Sequence, residues 1–331
     1  MSSFLPGQPN LFRHDVITFG ETMLRLSPVE GQMLEQAEFL RVDAAGTESN
    51  TATALTRMGA NVAWVSILPD NPIGHWITSQ LSLHGVDTSY VVWSDKRVGV
   101  FFLESGMPPR GSRVVYDRAG SAATEITPHA LERPLQAGAR IVHTTGITAS
   151  LGESCLKTLT YVLRERDKRE YRTSLDINYR AKLWTPQQAN RVLNRLLGKV
   201  DILISTANDV EVIFGMEGPP EESIKKLRDR FKNEIIVLTL SEGGAVGWSE
   251  ETGFLQTSPH LVEQVDRLGA GDAFDAGLLY GILQNDLEKG LLYGTALAAV
   301  SYSEQGDITW STLDEIERMV SQHKVENRQL I

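Results

Sequence analysis

VDRLGAGDAFDAGLL, residues 265–279, opens on a polar, glycine-spaced turn and runs into an apolar stretch that reads as a helix. Helix starts favour Asp as a cap, so one reading makes Asp272 an N-cap and nothing more. The spacing supports a second. Gly269 and Gly271 permit backbone conformations that a side chain penalises, and they let a ligand approach the chain closely. The amides of Gly269, Ala270, Gly271 and the following first turn would converge on one spot with the helix dipole behind it. Such a spot suits an anion whose charge grows during reaction, as in phosphoryl transfer, with Asp272 beside it to accept a hydroxyl proton. The surrounding sequence has to decide between the two.

Outward from that turn the chain has an α/β rhythm. VITFG (16–20) and VAWVSIL (62–68) read as strands, with a helical run, NTATALTRMGA (50–60), between them. RVGVFFLESG and SRVVYDR, between 97 and 118, read as two alternating strands joined by the turn GMPPRG. From 139 onward ARIVHTTG, RTSLDIN, KVDILIST and EIIVLTL are short β-rich runs separated by helical stretches such as ESCLKTLTYVLRERDKRE. That spacing predicts right-handed crossovers and a largely parallel central sheet flanked by helices, an α/β fold. Ligands of such sheets bind outside the carboxyl ends of the strands. Asn178 and Arg180 follow one strand, Asn208 and Glu211 a second, Ser241 to Gly244 a third, and the opening turn follows the stretch ending at Val265. Four polar continuations on one rim predict a site there.

The bulk properties narrow the function. A chain of 331 residues with 41% hydrophobic and 22% charged residues is of globular type, and its formal charge of −10 argues against nucleic acid or an anionic membrane as partner. The single cysteine, Cys155, excludes an intrachain disulfide framework and fits a reducing cytosol; its apolar context predicts packing rather than chemistry. The first residues lack the apolar core of a signal peptide, and no later stretch reaches transmembrane length, which predicts a cytoplasmic protein. Neither G-x-x-x-x-G-K-[ST] nor a G-x-G-x-x-G after the first strand is present, so a P-loop is excluded and a Rossmann-type dehydrogenase disfavoured.

Three segments together carry a resemblance. DRLGAGD (266–272) followed by AFDAG is similar to the D-T-x-G-A-G-D signature of the PfkB, or ribokinase-like, carbohydrate kinases. AGTESNTATALTRMG (45–59) resembles that family's first signature, and NDVE (208–211) its N-x-x-E motif. The resemblance implies one kinase domain over about 14–315, with a small β-sheet lid from about 20–45 and 97–118, and terminal extensions at 1–13 and 316–331. It implies ATP and Mg²⁺ as cofactors and a homo-oligomer, a dimer through the lid or higher. Asp272 would be the catalytic base, and the amides of Gly269, Ala270 and Gly271 the anion hole. Asn208 and Glu211 would organise Mg²⁺ and phosphates, Glu211 through water, while Asn178, Ser241, Gly244 and Gly271 would lie against the nucleotide.

Within the family, VVYDRAGSAAT (114–124) and LDINYRAKLW (175–184) resemble segments of the 2-keto-3-deoxygluconate kinases. They imply a sugar-acid substrate held by Tyr116, Arg118 and Arg180, because a carboxylate suits guanidinium donors on separate elements. Gly46 and Asn50 would meet sugar hydroxyls, Phe101 would stand where a Tyr is usual, and Asp307 would touch the substrate. Ala45, Val98 and Ser241 also depart from the usual residues. The expected reaction is ATP-dependent phosphorylation of the terminal hydroxyl of 2-keto-3-deoxygluconate. Alternatives are 5-dehydro-2-deoxygluconokinase, fructokinase, ribokinase, or a non-catalytic sugar or nucleotide sensor.

Overall fold

The computed structural model describes residues 12–29, 31–106, 110–240, 243–262, 265 and 268–329, the last eight by backbone alone. Ser241, the Met107–Pro109 part of the turn GMPPRG, and residues 1–11 of the N-terminal extension lie outside the described residues.

The strands are β1 (His14–Phe19), β2 (Met23–Ser27), β3 (Arg41–Ala45), β4 (Val62–Val65), β5 (Ile67–Pro69), β6 (Val92–Ser94), β7 (Val100–Glu104), β8 (Arg113–Asp117), β9 (Ala139–Thr145), β10 (Arg172–Asp176), β11 (Ile202–Thr206), β12 (Ile235–Thr239), β13 (Ala245–Ser249) and β14 (Gly253–Thr257). Eight of them form one sheet in the order β14-β13-β12-β11-β10-β9-β1-β4. From β4 to β12 every pair is parallel, and the β13–β14 hairpin closes the edge antiparallel. The near-continuous Val/Ile/Leu content of these strands follows from burial on both faces. Alternate residues serve opposite sides. Ile17, Phe19, Val142, Leu175, Leu203 and Ile236 pack toward one helical layer, and Val16, Trp64, Ile141, Ile202, Ile204 and Val237 toward the other.

A separate four-stranded sheet, β3-β2-β7-β8, stands over the end of the first. Its β2–β3 and β7–β8 pairs are antiparallel and its β2–β7 pair parallel. Its central strands, β2 and β7, alternate in exposure, as expected of a sheet covered on one face only, whereas the edge strand β8 is mostly exposed.

The single strand expected over 62–68 is two: β4 joins the main sheet, and β5 leaves it to pair with β6. The helix expected from Asn50 begins at Thr47. The boundary expected at 315 falls inside a helix, Leu313–Gln329, whose Ile316 and Val320 are buried in the second core layer, so the packed structure runs past it. Among the described residues no helix is long and apolar enough to cross a membrane. Cys155 is fully buried, its thiol donating to the Ala123 carbonyl at 3.3 Å and pushed by burial up to about 12.

Candidate active site

The carboxyl ends of β1, β10, β11 and β12 open into a cavity of about 1620 Å³, covered on its far side by the four-stranded sheet. Glu21, Asn178, Arg180, Asp209 and Thr239 line it from those ends, and Phe101, Tyr116 and Arg118 from the covering sheet and the chain that leaves it.

The opening turn forms part of the wall, through Gly269, Ala270, Gly271 and Asp272. Among the described residues the last strand before the turn, β14, ends at Thr257, earlier than the stretch ending at Val265 expected to lead into it. The helix runs Ala270–Leu283, and its N-cap is Gly269 rather than Asp272. The two glycines have different reasons to be glycine. Gly269 has φ +86°, and a Cβ there would lie 2.3 Å from the Asp307 carbonyl oxygen. Gly271 is helical, and nothing stands within 4 Å of where its Cβ would be, so its missing side chain leaves cavity space open. Among the described residues no side chain caps this helix, and its first amides are donors without an intrahelical partner, at the cavity wall.

Asp272 lies in the first helical turn, 7% exposed. Asn50 Nδ2 donates to its Oδ2 at 2.7 Å, and the Thr51 hydroxyl donates to its backbone carbonyl at 3.2 Å. The two signature segments, 222 residues apart, are thus joined at the site, and the Asn50 amide is committed to the carboxylate. Burial is the main cause that lifts the Asp272 carboxyl to about 8; the Asn50 hydrogen bond and the Arg180 charge oppose it, while Asp307 and Asp176 add to it. Arg180 itself is exposed in the cavity and makes no hydrogen bond or ion pair with its side chain among the described residues.

Other carboxyls crowd the same floor. Asp176 is raised to about 7, by burial first and then by the charge of Asp209. Glu48 is 1% exposed; its Oε1 accepts from the Thr145 amide (3.1 Å) and the hydroxyls of Thr145 (2.8 Å) and Thr148 (2.7 Å), while burial raises its pKa. Asp275, one turn beyond Asp272 and buried behind the cavity lining, is raised well above the ordinary carboxylate range, again mainly by burial. On the side of the second sheet the charges are paired instead. Arg25 Nη1 donates to Asp307 Oδ2 at 2.9 Å, and Arg118 donates to Glu21.

Gly46, Asn50, Phe101, Tyr116, Arg118, Asn178, Arg180, Gly244 and Asp307 line the cavity together with the opening turn. Asn208 and Glu211 do not. They lie exposed on the helix Ala207–Phe214, whose Val210 and Ile213 turn to the core, and it is Asp209 of that helix that lines the cavity. Glu21, Glu48, Asp176 and Asp209 were missed by sequence reasoning, since single acids in a connection, at a strand end or in the first turn of a helix look like solvated or capping residues.

The sequence matches the pattern of the pfkB family carbohydrate kinases over residues 13–314. The chain belongs to the pfkB family. It is a carbohydrate kinase, and with that the dehydrogenase and sensor alternatives fall away. Among its pfkB relatives, a 2-dehydro-3-deoxygalactonokinase of Haloferax volcanii is 37% identical over 309 residues, 92% of this chain and 96% of that protein. A 2-dehydro-3-deoxygluconokinase of Thermoproteus tenax is 30% identical over 300 residues, 88% of this chain and 89% of that protein. The crystal structure of 2-dehydro-3-deoxygluconokinase from Thermotoga maritima superimposes with a TM-score of 0.85 at 30% identity, covering 94% of this chain and 99% of that one.

Proposed function

We propose that this carbohydrate kinase transfers the γ-phosphoryl group of ATP to the terminal hydroxyl of a 2-dehydro-3-deoxyhexonate, with Asp272 as the base. The observation that carries the proposal is the Asn50–Asp272 pair at the head of the helix Ala270–Leu283, in a cavity whose lining also holds the guanidiniums of Arg113, Arg118 and Arg180. 2-Dehydro-3-deoxygluconate is the substrate implied by the Tyr116–Arg118 and Asn178–Arg180 segments. Its C4 epimer, the galactonate-derived acid, is a second reading favoured by the name of the Haloferax relative.

In this mechanism the sugar carboxylate meets Arg118 and Arg180, and the terminal hydroxyl points to Asp272. Gly46, Phe101, Tyr116 and Asp307 line the sugar end. A carboxyl raised to about 8 is a stronger base than an ordinary aspartate, so it is suited to take the proton of an alcohol as phosphoryl transfer proceeds. Asn50 holds that carboxylate in one orientation. The amides of Ala270 and Gly271 offer donors to the γ-phosphate, and the open space at Gly271 lets its oxygens come close. Gly244 and Asn178, on the rim shared with Pro259, His260 and Tyr302, would border the nucleotide.

Among the described residues no group of three or more His, Cys, Asp or Glu could hold a metal alone. Asp176 and Asp209 nevertheless fit Mg²⁺, which binds through one or two carboxylates and completes its shell with water and phosphate. Bound there, it would supply counter-charge to the phosphates; the outward-facing Asn208 and Glu211 reach that region only through water. Exposed Val42 on β3 and Val115 on β8 support assembly of copies through the smaller sheet.

The test is ADP production with Mg·ATP across 2-dehydro-3-deoxygluconate, 2-dehydro-3-deoxygalactonate, 5-dehydro-2-deoxygluconate, fructose and ribose. Preference for either of the first two supports the proposal. Turnover of neutral sugars alone removes the sugar acid.

A further inference from the structure

We infer that Glu21 is a positioning residue for sugar-acid recognition: it holds the Arg118 guanidinium by its Nε–Nη2 edge and leaves the Nη1 end to the substrate carboxylate. The inference rests on the sugar-acid substrate proposed above.

Glu21 lies between β1 of the main sheet and β2 of the smaller one, and its side chain is 1% exposed. Both of its oxygens are engaged. Oε2 accepts from Arg118 Nε at 2.8 Å and from Arg118 Nη2, while Oε1 accepts the Ser121 hydroxyl at 2.5 Å. Arg118, just past the end of β8, has a side chain only 12% exposed, and its Nη1 makes no hydrogen bond among the described residues. Both residues line the cavity. The Tyr116 ring lies beside the guanidinium, 5.9 Å from its centroid to Arg118 Cζ, which narrows its movement on a further side.

A second feature shows how firmly the place is kept. A Cβ at Gly99 would stand 2.6 Å from Glu21 Oε1, so the glycine before β7 is what leaves room for the carboxylate. Val98 and Phe101 flank it without hydroxyls, which leaves polar contact with a sugar acid to the Arg118 side of this wall.

Electrostatics divides the work between the two arginines. Arg118 is neutralised by a buried partner, so it offers direction rather than net charge: a planar fork fixed at one edge presents its remaining N–H groups at a set angle. Arg180, without an ion-pair partner among the described residues, offers the net charge. An untethered Arg118 would have to be ordered by each substrate molecule, which weakens binding while leaving the reacting groups alone.

The experiment compares Glu21→Ala, Glu21→Gln, Arg118→Ala and the Glu21→Ala/Arg118→Ala double variant with wild type on 2-dehydro-3-deoxygluconate and 2-dehydro-3-deoxygalactonate. Glu21→Ala is expected to raise KM for the acid about tenfold, with kcat and the KM for ATP within about threefold. Glu21→Gln keeps an acceptor for Arg118 and an amide that Ser121 can accept from, so its KM stays within about threefold of wild type. The double variant is expected to be no worse than Arg118→Ala alone, because the two residues act as one unit. Multiplying effects in the double variant, an unchanged KM in Glu21→Ala, or Glu21→Gln as damaging as Glu21→Ala each overturns the inference. If Glu21→Ala fails to fold, the Gln variant and the Arg118→Ala background still decide it. Wild type that turns over only neutral sugars overturns the substrate proposal instead, a result visible before any variant is made.

Discussion

The two sides of the cavity handle charge in opposite ways. On the side of the smaller sheet, buried charges come in pairs: Arg118 with Glu21, Arg25 with Asp307. On the floor, Asp176, Asp272 and Glu48 crowd together under raised pKa values, opposed by hydrogen bonds and, at Asp176 and Asp272, by the more distant Arg180; Asp275, buried behind them, has neither among the described residues. A paired charge is cheap to keep and rigid, which suits recognition of a fixed shape. An unpaired buried carboxylate is costly to ionise, which suits a group that must bind a proton during turnover. Under the proposed function, the contrast separates groups that hold a ligand from groups that act on it.

The sharpest way to break that contrast is Asp272→Asn, which keeps shape and removes the proton acceptor. It is expected to lower kcat at least about 10³-fold, with KM for both substrates within a few fold. Unchanged kcat in a coupled ADP assay would return Asp272 to the structural side. Arg180→Ala comes next. Losing an unpaired guanidinium should cost roughly 30- to 100-fold in kcat/KM for the sugar acid, the scale of a charge-assisted hydrogen bond, and much less for any neutral sugar.

Proton linkage sharpens the comparison further. In the free enzyme kcat/KM should rise about tenfold per pH unit below a limb near pH 8, because the base must be ionised. The same raised pKa means that the folded state binds more protons than the unfolded chain between about pH 4 and 8, so the contribution of Asp272 to stability falls as pH rises through that window. Asp272→Asn should therefore raise Tm at pH 8 relative to wild type, with the gain shrinking toward pH 4. An equal Tm difference at both pH values in calorimetry would contradict the linkage.

Gly269→Ala meets both a positive φ and the Asp307 carbonyl, and should cost about 1–3 kcal/mol, read as a Tm lowered by several degrees. Gly271→Ala should leave Tm nearly unchanged yet weaken turnover, because its space is kept for ligand and not for the chain. The smallest effect is expected of Cys155→Ser, away from the cavity: activity within about twofold, and a native thiol that resists alkylation until the protein unfolds.

Much of this arrangement was legible in the sequence, for identifiable reasons. The parallel strands announce themselves as apolar runs because burial on both faces allows little else. Asp272 and Asn50 could be found because each sits in a segment whose small residues have to admit another backbone or a ligand. Glu21 and Asp176 could not, because their meaning is supplied by residues far away in the chain, Arg118 and Asp209. The faces of short helices were also hidden. NDVE contains three polar residues, and only packing of Val210 and Ile213 against the core turns Asp209 to the cavity and leaves Asn208 and Glu211 outside. The break in 62–68 depends likewise on a distant partner, since β5 leaves the main sheet to meet β6.

The Arg25–Asp307 pair has a mechanical meaning. Arg25 belongs to β2, Asp307 lies beyond the helix Leu287–Ser303, and the Asp307 carbonyl abuts the Cα of Gly269. The smaller sheet is fastened at this point, at Arg118, and again where Lys182 Nζ donates to the Val114 carbonyl of β8 at 2.7 Å. Contact therefore runs from β2 through Arg25 and Asp307 to the turn at Gly269, so the two walls of the cavity are braced against each other rather than standing apart.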